Sequence, residues 1–481
     1  VKRFPGDFSY WSRFARGALA GSWMEERAAR LIPYFARLAR LGAAASNTLD
    51  RGAEAFLAEL ELTSPSWLQH WRVRRGLRRY AASHVVYRRS VEVFERAFFG
   101  SQPDLDDATL REIDRERRVA TERILYPRRT LGFLAHENAI APVRHRPFSP
   151  DELFSQWAEE IWNPSSLYFA PTVRQRFVIS RSFRRGATRE YFLRFQSPSR
   201  FLSDPIQARV FEPLDAPPEI PTVIYCGGLG MSYDLLRCRP EEEYAGAWLA
   251  ARGFRAVLPE SPWHGRRTPQ GVASGELPLA TSPFGIVLLV ATQTQEVAAL
   301  IHWARSLSSS VVAVSGISLG SVVAQQASAW SRDWPESMRP DAVFLNGAGL
   351  CLDRGAMKSR LLQLLGIDDG MRRAGWTELL IGLLRPLIEP PCPPSVAPDR
   401  HVVVLARRDD FLPYSEGAAL VKRWRIPPAN VLTWDVGHLG LALRLAGTDE
   451  AQRKWAATLR YASRHAKTAA RRTAAREAIA Q

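Results

Sequence analysis

Lysine is almost missing from this sequence: Lys2, Lys358, Lys422, Lys454 and Lys467 are the only five in 481 residues. The 65 basic residues, set against 49 acidic ones for a formal charge of +16, are therefore nearly all arginine. Arginine pairs with carboxylate and phosphate in a bidentate fashion, although a GC-rich genome explains such a bias without any partner. Cysteine is equally scarce. Cys226, Cys238, Cys351 and Cys392 are too few and too scattered for a disulfide framework, and no Cys-x-x-Cys or Cys/His cluster marks a zinc site, so no metal is expected. Long apolar runs are missing too. Phe284–Thr292 and Leu379–Leu384 fall short of the ~20 residues that span a bilayer, and the first thirty residues lack the apolar stretch of a secretory signal. A cytoplasmic protein is the expectation. With 46% hydrophobic and 24% charged residues, intrinsic disorder and fibrous architectures are excluded for most of the chain.

The chain changes character near residue 165. Before it, helical periodicity dominates. Val73, Leu77, Tyr80, His84, Tyr87, Val91, Phe94 and Phe98 alternate spacings of four and three, which places them on one helical stripe. Arg72, Arg74, Arg75, Arg78 and Arg79 crowd within two turns of the same helix and form a basic outer face. A second helix is expected over Asp107–Leu125, acidic at its start and arginine-rich later, as the helix dipole favours. His84 reads as a packing residue.

After residue 175 short β runs take over: a hairpin of Phe177–Phe183 and Tyr191–Phe195, then Ala208–Phe211. Strands and helices then alternate, with strands at Thr222–Cys226, Phe254–Leu258, Val311–Ser315, Ala342–Leu345, His401–Leu405 and Val431–Trp434. Helices are expected at Glu241–Arg252, Phe284–Arg305 and from Leu319. Apolar strands each followed by a helix indicate a parallel sheet covered on both faces. Residues 351–398 interrupt the rhythm with leucine-rich helical segments and a Pro-rich exit, as an insertion would.

The sharpest local signal is VVAVSGISLGSVVAQQA. Here Gly316-Ile317-Ser318-Leu319-Gly320 joins a strand to a helix as G-x-S-x-G, the context in which a serine nucleophile is raised on a strained turn. A serine hydroxyl needs a base, and the base needs an orienting carboxylate. Downstream of Ser318 lie His401, which opens a strand, His465, in the basic tail, and His438, in a Gly-flanked loop after a strand. His438 is the well-placed base. The acid should follow the strand HVVVLA, where Asp409 and Asp410 stand; Asp409 is preferred. The oxyanion hole should combine the Leu319 amide with one from the loop Cys226–Gly230, with Gly228 preferred and Leu229 the alternative. In the loop Glu260–Pro269, His264, Arg266 and Arg267 either hold an anionic part of a substrate or fix the loop through backbone carbonyls.

The GISLG turn, the ESPWHGRRTP loop, the segment ALIHWARS and the stretch HVVVLARRDDFLPYSEGAALVKRW with its later GH together resemble the α/β-hydrolase domain-containing protein 18 family. The resemblance runs over residues 170–460. The turn and the GH are shared with the whole superfamily; the GRRTP loop is the more specific part. It implies a serine hydrolase with an aspartate four residues before a proline and a late Gly-His, which fall here on Asp409, Pro413 and His438. The fold implied is the α/β-hydrolase fold, a mostly parallel doubly wound sheet over residues 166–460. A helical N-terminal region (1–165), a helical lid insertion (351–398) and a basic helical tail (461–481) complete the expected organisation.

The expected activity is cleavage of an acyl ester, with a lipid as one candidate, and with no cofactor. Peripheral contact with an anionic membrane is expected from the basic helix, and nucleic acid is not an expected partner. The rival expectation is a non-enzymatic scaffold of the same fold that grips polyanions.

Overall fold

The computed structural model describes residues 22–62, 66–101, 105–136, 139–171, 175–233, 245–349, 355–389 and 393–480, with the side chains of 22–24, 355–356 and 466–480 excepted. Residues 1–21 of the stretch read for a signal, Cys238, Cys351, Cys392 and the start of the helix expected from Glu241 lie outside the described residues.

Among the described residues, ten strands form one sheet: β1 (Val178–Ile179), β2 (Phe183–Arg185), β3 (Thr188–Gln196), β4 (Pro205–Pro213), β5 (Thr222–Cys226), β6 (Arg255–Pro259), β7 (Val312–Ile317), β8 (Ala342–Asn346), β9 (His401–Ala406) and β10 (Val431–Trp434). Their order is β1-β3-β4-β6-β5-β7-β8-β9-β10, with β2 paired to β3. β1 to β4 are antiparallel, and β4 meets β6 antiparallel; from β6 to β10 every pairing is parallel. The chain leaves β5 toward β6 on one side and reaches β7 on the other. That reversal opens a crevice at the carboxyl ends of β5 and β7, where open α/β sheets bind ligands.

Side chains alternate along the parallel strands. Ile224, Val314, Val343, Leu345, Val403 and Leu405 enter one core, while Val223, Ala313, Phe344, Val402 and Val404 enter the other. Both faces are covered, which is why the strands read as unbroken apolar runs. The first core receives the helix Phe284–Leu307, long and apolar enough to span a membrane, with 89% of its apolar window buried inside the protein. Its bounds lie within two residues of the expected Phe284–Arg305, and Gln293, Gln295 and Glu296 are buried along with its hydrophobic residues. The second core receives the helix Glu450–Ala480 through Trp455, Leu459 and Ala462. The tail expected from residue 461 is therefore the continuation of one helix anchored in the core.

The N-terminal region is helical, as expected: α1 (Ser22–Arg30), α2 (Ile32–Asn47), α3 (Gly52–Glu59), α4 (Trp67–Phe99) and α5 (Asp107–Leu125). α4 starts on a capping box, Ser66 with Gln69. Val73, Tyr80, Phe94 and Phe98 of its stripe are fully buried, and Leu77 and Tyr87 pack against the helical core. Phe94 and Phe98 join Phe183 and Phe192 of the sheet. Asp114 of α5 receives Arg209 of β4 at 2.9 Å, and Arg209 also meets Glu190 of β3 at 2.6 Å. These buried ion pairs tie the helical region to the sheet edge.

The inserted segment does not stand apart from the body. Leu362, Met371, Ile381, Leu384 and Leu387 belong to the main core. Tyr168 Oη donates to Leu387 O, and Trp376 Nε1 donates to Phe148 O at 2.8 Å. Leu362 and Leu384 are buried in packing and Leu380 is partly buried against the same core, whereas Leu379 is 78% exposed.

Candidate active site

The turn after β7 explains its glycines. Ser318 has φ 54° and ψ −122°, a backbone conformation costly for any residue with a Cβ. A Cβ at Gly316 would overlap the carbonyl of Gly320, and one at Gly320 would overlap the carbonyl of Cys226. Only glycine at both positions lets the turn close this tightly. The strain is held by Asn346, whose carbonyl accepts the Ser318 amide at 2.8 Å and whose Nδ2 donates to Gly316 O at 2.8 Å. Ser321 adds hydrogen bonds to Ser318 O and Gly347 O. Sequence reasoning missed both residues; a polar residue closing an apolar strand is the one available signal for Asn346.

Ser318 Oγ lies 2.8 Å from His438 Nε2. His438 Nδ1 lies 2.7 Å from Asp409 Oδ2. The Asp409 carboxylate is buried, and its other oxygen accepts the amides of Phe411 and Leu412 at 3.0 and 2.8 Å. These bonds fix the carboxylate so that one oxygen remains for the imidazole. Phe411 packs against the His438 ring, centroids 5.0 Å apart. Asp410 turns away to Arg360, at 2.9 Å, with its side chain 43% exposed. Of the two candidate carboxylates, Asp409 is the one within reach of His438. His401 is buried elsewhere, against Ser328.

The loop after β5 faces the same serine. Gly228 sits so close to Ser318 that a Cβ at Gly228 would lie 3.2 Å from the Ser318 Cβ. In that loop the Gly230 amide donates to His264 Nε2 at 2.8 Å, and the Met231 amide donates to Gly228 O at 3.1 Å. The amides of Gly228 and Leu229 are not engaged in these bonds. Leu319 opens its helix, where the first amides lack intrahelical acceptors.

The reading of His264, Arg266 and Arg267 as substrate ligands needs correction. His264 is fully buried, and burial pushes its imidazole down to about 4. Neutral, it donates through Nδ1 to Pro262 O at 2.8 Å and accepts the Gly230 amide. Arg267 is buried on Asp204 and Glu296, both at 2.7 Å, and on Glu260 O at 3.0 Å. Arg266 meets Glu95 at 2.6 Å. Glu95, partly buried, still titrates near 2, because Arg194 and Arg266 outweigh the burial that would raise it. His264 and Arg267 fix loops partly through backbone carbonyls, the second of the two roles open to them, and Arg266 ties its loop to the side chains of Glu95 and Gln207. Among the described residues, no group of three or more His, Cys, Asp or Glu is placed to hold a metal ion.

No curated protein matches the sequence significantly. Among solved structures, the acetyl xylan esterase from Paenibacillus sp. R4 aligns at 15% identity and TM-score 0.42, covering 61% of this chain and 92% of its own. The esterase of Pyrobaculum calidifontis aligns at 16% identity and TM-score 0.36, covering 66% and 94%. Likenesses this distant carry no argument, and the fold rests on the strand order and the turn at Ser318. Residues 242–338, which include the Glu260–Pro269 loop and the serine turn, match the family described as "Alpha/beta hydrolase domain containing 18". The chain has the α/β-hydrolase fold, and across that stretch it is similar to the family its motifs resemble.

Proposed function

We propose that the protein is a serine hydrolase of carboxylic esters. The observation that carries this reading is the unbroken hydrogen-bonded series from Ser318 Oγ through His438 to Asp409. In this reading Ser318 Oγ adds to the ester carbonyl carbon as His438 Nε2 takes its proton. The carbonyl π electrons move onto oxygen, which the amides of Leu319 and Gly228 receive, with Leu229 the alternative donor. Collapse of the adduct expels the alkoxide, which takes the proton from His438 and leaves an acyl-Ser318. A water deprotonated by His438 repeats the addition, and the acid departs with Ser318 restored. Asp409 holds the Nδ1–H tautomer and stabilises the imidazolium.

A lipid-like ester presented at an anionic membrane is the substrate class we favour. Its support is the solvent face of α4, where Trp67, Leu68 and Trp71 are exposed. Arg75, Arg78 and Arg79 follow on the same helix, also exposed and without a carboxylate partner among the described residues. Aromatic and basic residues together suit a headgroup surface. Against a pure scaffold stands the strained Ser318 backbone, which binding alone does not require. A fluorophosphonate probe on the purified protein tests the proposal. Labelling of the wild type that is lost in Ser318→Ala is expected; a folded wild type that stays unlabelled returns the protein to the scaffold reading.

A further inference from the structure

We propose that Glu25 of α1 is a positioning residue for His438, its carboxylate capping the helix that His438 begins. This role rests on the hydrolase reading above. The helix α6 (His438–Gly447) follows Gly437, which has φ −86° and ψ −172° and, as glycine, no side chain to accept the first amides of the helix. A carboxylate from 412 residues earlier in the chain instead holds the amide of Gly437 itself, the first unpaired donor of this helix end. Glu25 Oε2 accepts the Gly437 amide at 2.6 Å.

The sequence around His438 is shaped to this contact. A Cβ at Gly437 would overlap Glu25 Oε2, and a Cβ at Gly440 would overlap Oε1. The two glycines of GHLG therefore leave room for a carboxylate laid across the first turn. Oε1 is buried there without a hydrogen-bond partner among the described residues. Burial raises the Glu25 carboxyl above its usual value; the Gly437 amide and Arg408 oppose this, and Asp410 and Asp409 add to it. The adjoining Glu26 pairs with Arg360, which in turn pairs with Asp410, next to Asp409. Helix α1 thus meets the His438 loop directly and the Asp409 loop through Arg360.

The consequence for chemistry is geometric and electrostatic. Asp409 orients the ring at Nδ1, while Glu25 fixes the backbone from which the ring projects. The positive end of a helix opposes a cation at its first residue, and a carboxylate across that end offsets it while the imidazolium exists.

The test uses the full chain and p-nitrophenyl acetate, with fluorophosphonate labelling and melting measured in parallel. Glu25→Ala should lower kcat and the labelling rate about 10- to 100-fold, as displacement of a catalytic group does, with KM little changed and cooperative melting kept. Glu25→Gln, which retains an oxygen for the Gly437 amide, should recover most of the loss. Glu25→Asp, one methylene too short to reach, should behave as Glu25→Ala and serves if the alanine variant does not fold. A wild type that labels and turns over, with Glu25→Ala equal to it, overturns the positioning role alone. Equal loss in the Ala and Gln variants, tracking a lowered melting temperature, also overturns it. A folded wild type that neither labels nor turns over overturns the hydrolase reading, and this role with it.

Discussion

The imidazole of His264 accepts the Gly230 amide at 2.8 Å and thereby holds the loop that faces Ser318. The anchor comes from the loop after β6, the strand that flanks β5 in the sheet. A histidine that looks like a ligand in the sequence is thus a clamp. It uses a ring nitrogen as acceptor, which only a neutral imidazole supplies.

Replacing this clamp should slow chemistry before it disturbs binding. His264→Phe frees the Gly230 amide and loosens the loop that carries Gly228. Loss of an oxyanion donor costs about 10²–10³ in kcat, and a loosened loop should cost about tenfold or more by the same reasoning. Ester turnover by a folded His264→Phe at the wild-type kcat would show that the clamp has no bearing on the reaction.

Acid should weaken the fold through the same residue. His264 and His401 are both buried, each pushed by burial from 6.5 to about 4. Between those values the unfolded chain binds the protons and the native chain does not, so stability falls as pH is lowered through that window. Each histidine accounts for on the order of 3 kcal/mol across it. Denaturant titrations at pH 7 and pH 4.5 should show the loss, and His401→Gln should flatten the slope between them.

Asp409 and Asp410 separate cleanly by mutation. Asp409→Asn should reduce kcat by on the order of 10³–10⁴, as loss of the orienting carboxylate does in other triads. Asp410→Asn breaks a half-exposed pair with Arg360 and should cost much less. Steady-state kinetics of both variants on one model ester decide the ranking; equal losses would mean that the carboxylate is wrongly assigned.

Arg267 should be a stability residue. Its guanidinium and the carboxylate of Glu296 are almost wholly shielded from solvent, and removing one partner of such a pair typically costs about 3–5 kcal/mol. Arg267→Met should therefore melt far lower than Arg266→Met, whose partner Glu95 retains Arg194. Comparable melting temperatures for the two variants would contradict the burial argument.

Leu384→Trp tests the inserted segment. Leu384 is completely buried in the main core, so the larger ring should overpack it and cost about 1–3 kcal/mol. Leu379→Trp, on an exposed position, should leave stability unchanged. A stable Leu384→Trp protein with altered preference for acyl length would instead make Leu384 part of an acyl pocket.

How much of this was legible in the sequence depends on how local the cause is. Helix α5 is found at Asp107–Leu125 as periodicity and charge placed it, because capping by Asp106 and amphipathic spacing act within a few turns. The G-x-S-x-G turn was legible for the same reason: the collisions that demand Gly316 and Gly320 arise between residues close in sequence or on the adjoining strand. Ser318, His438 and the Asp409–Asp410 pair stood out because each follows an apolar strand, and the sheet brings the ends of β7, β9 and β10 to one edge. Choosing between the two aspartates at the level of atoms required the loop itself, where the Phe411 and Leu412 amides aim one carboxylate.

Other features had no local cause to read. The roles of His264, Arg267 and Leu384 depend on burial among elements far apart in the chain, and a polar or apolar residue looks the same in sequence whether its neighbours are solvent, substrate or core. Glu25 shows the limit most plainly, since nothing near it hints at a partner 412 residues away. Local sterics and periodicity are encoded residue by residue. Which charge meets which helix end is decided only when the tertiary structure has excluded water and brought them together.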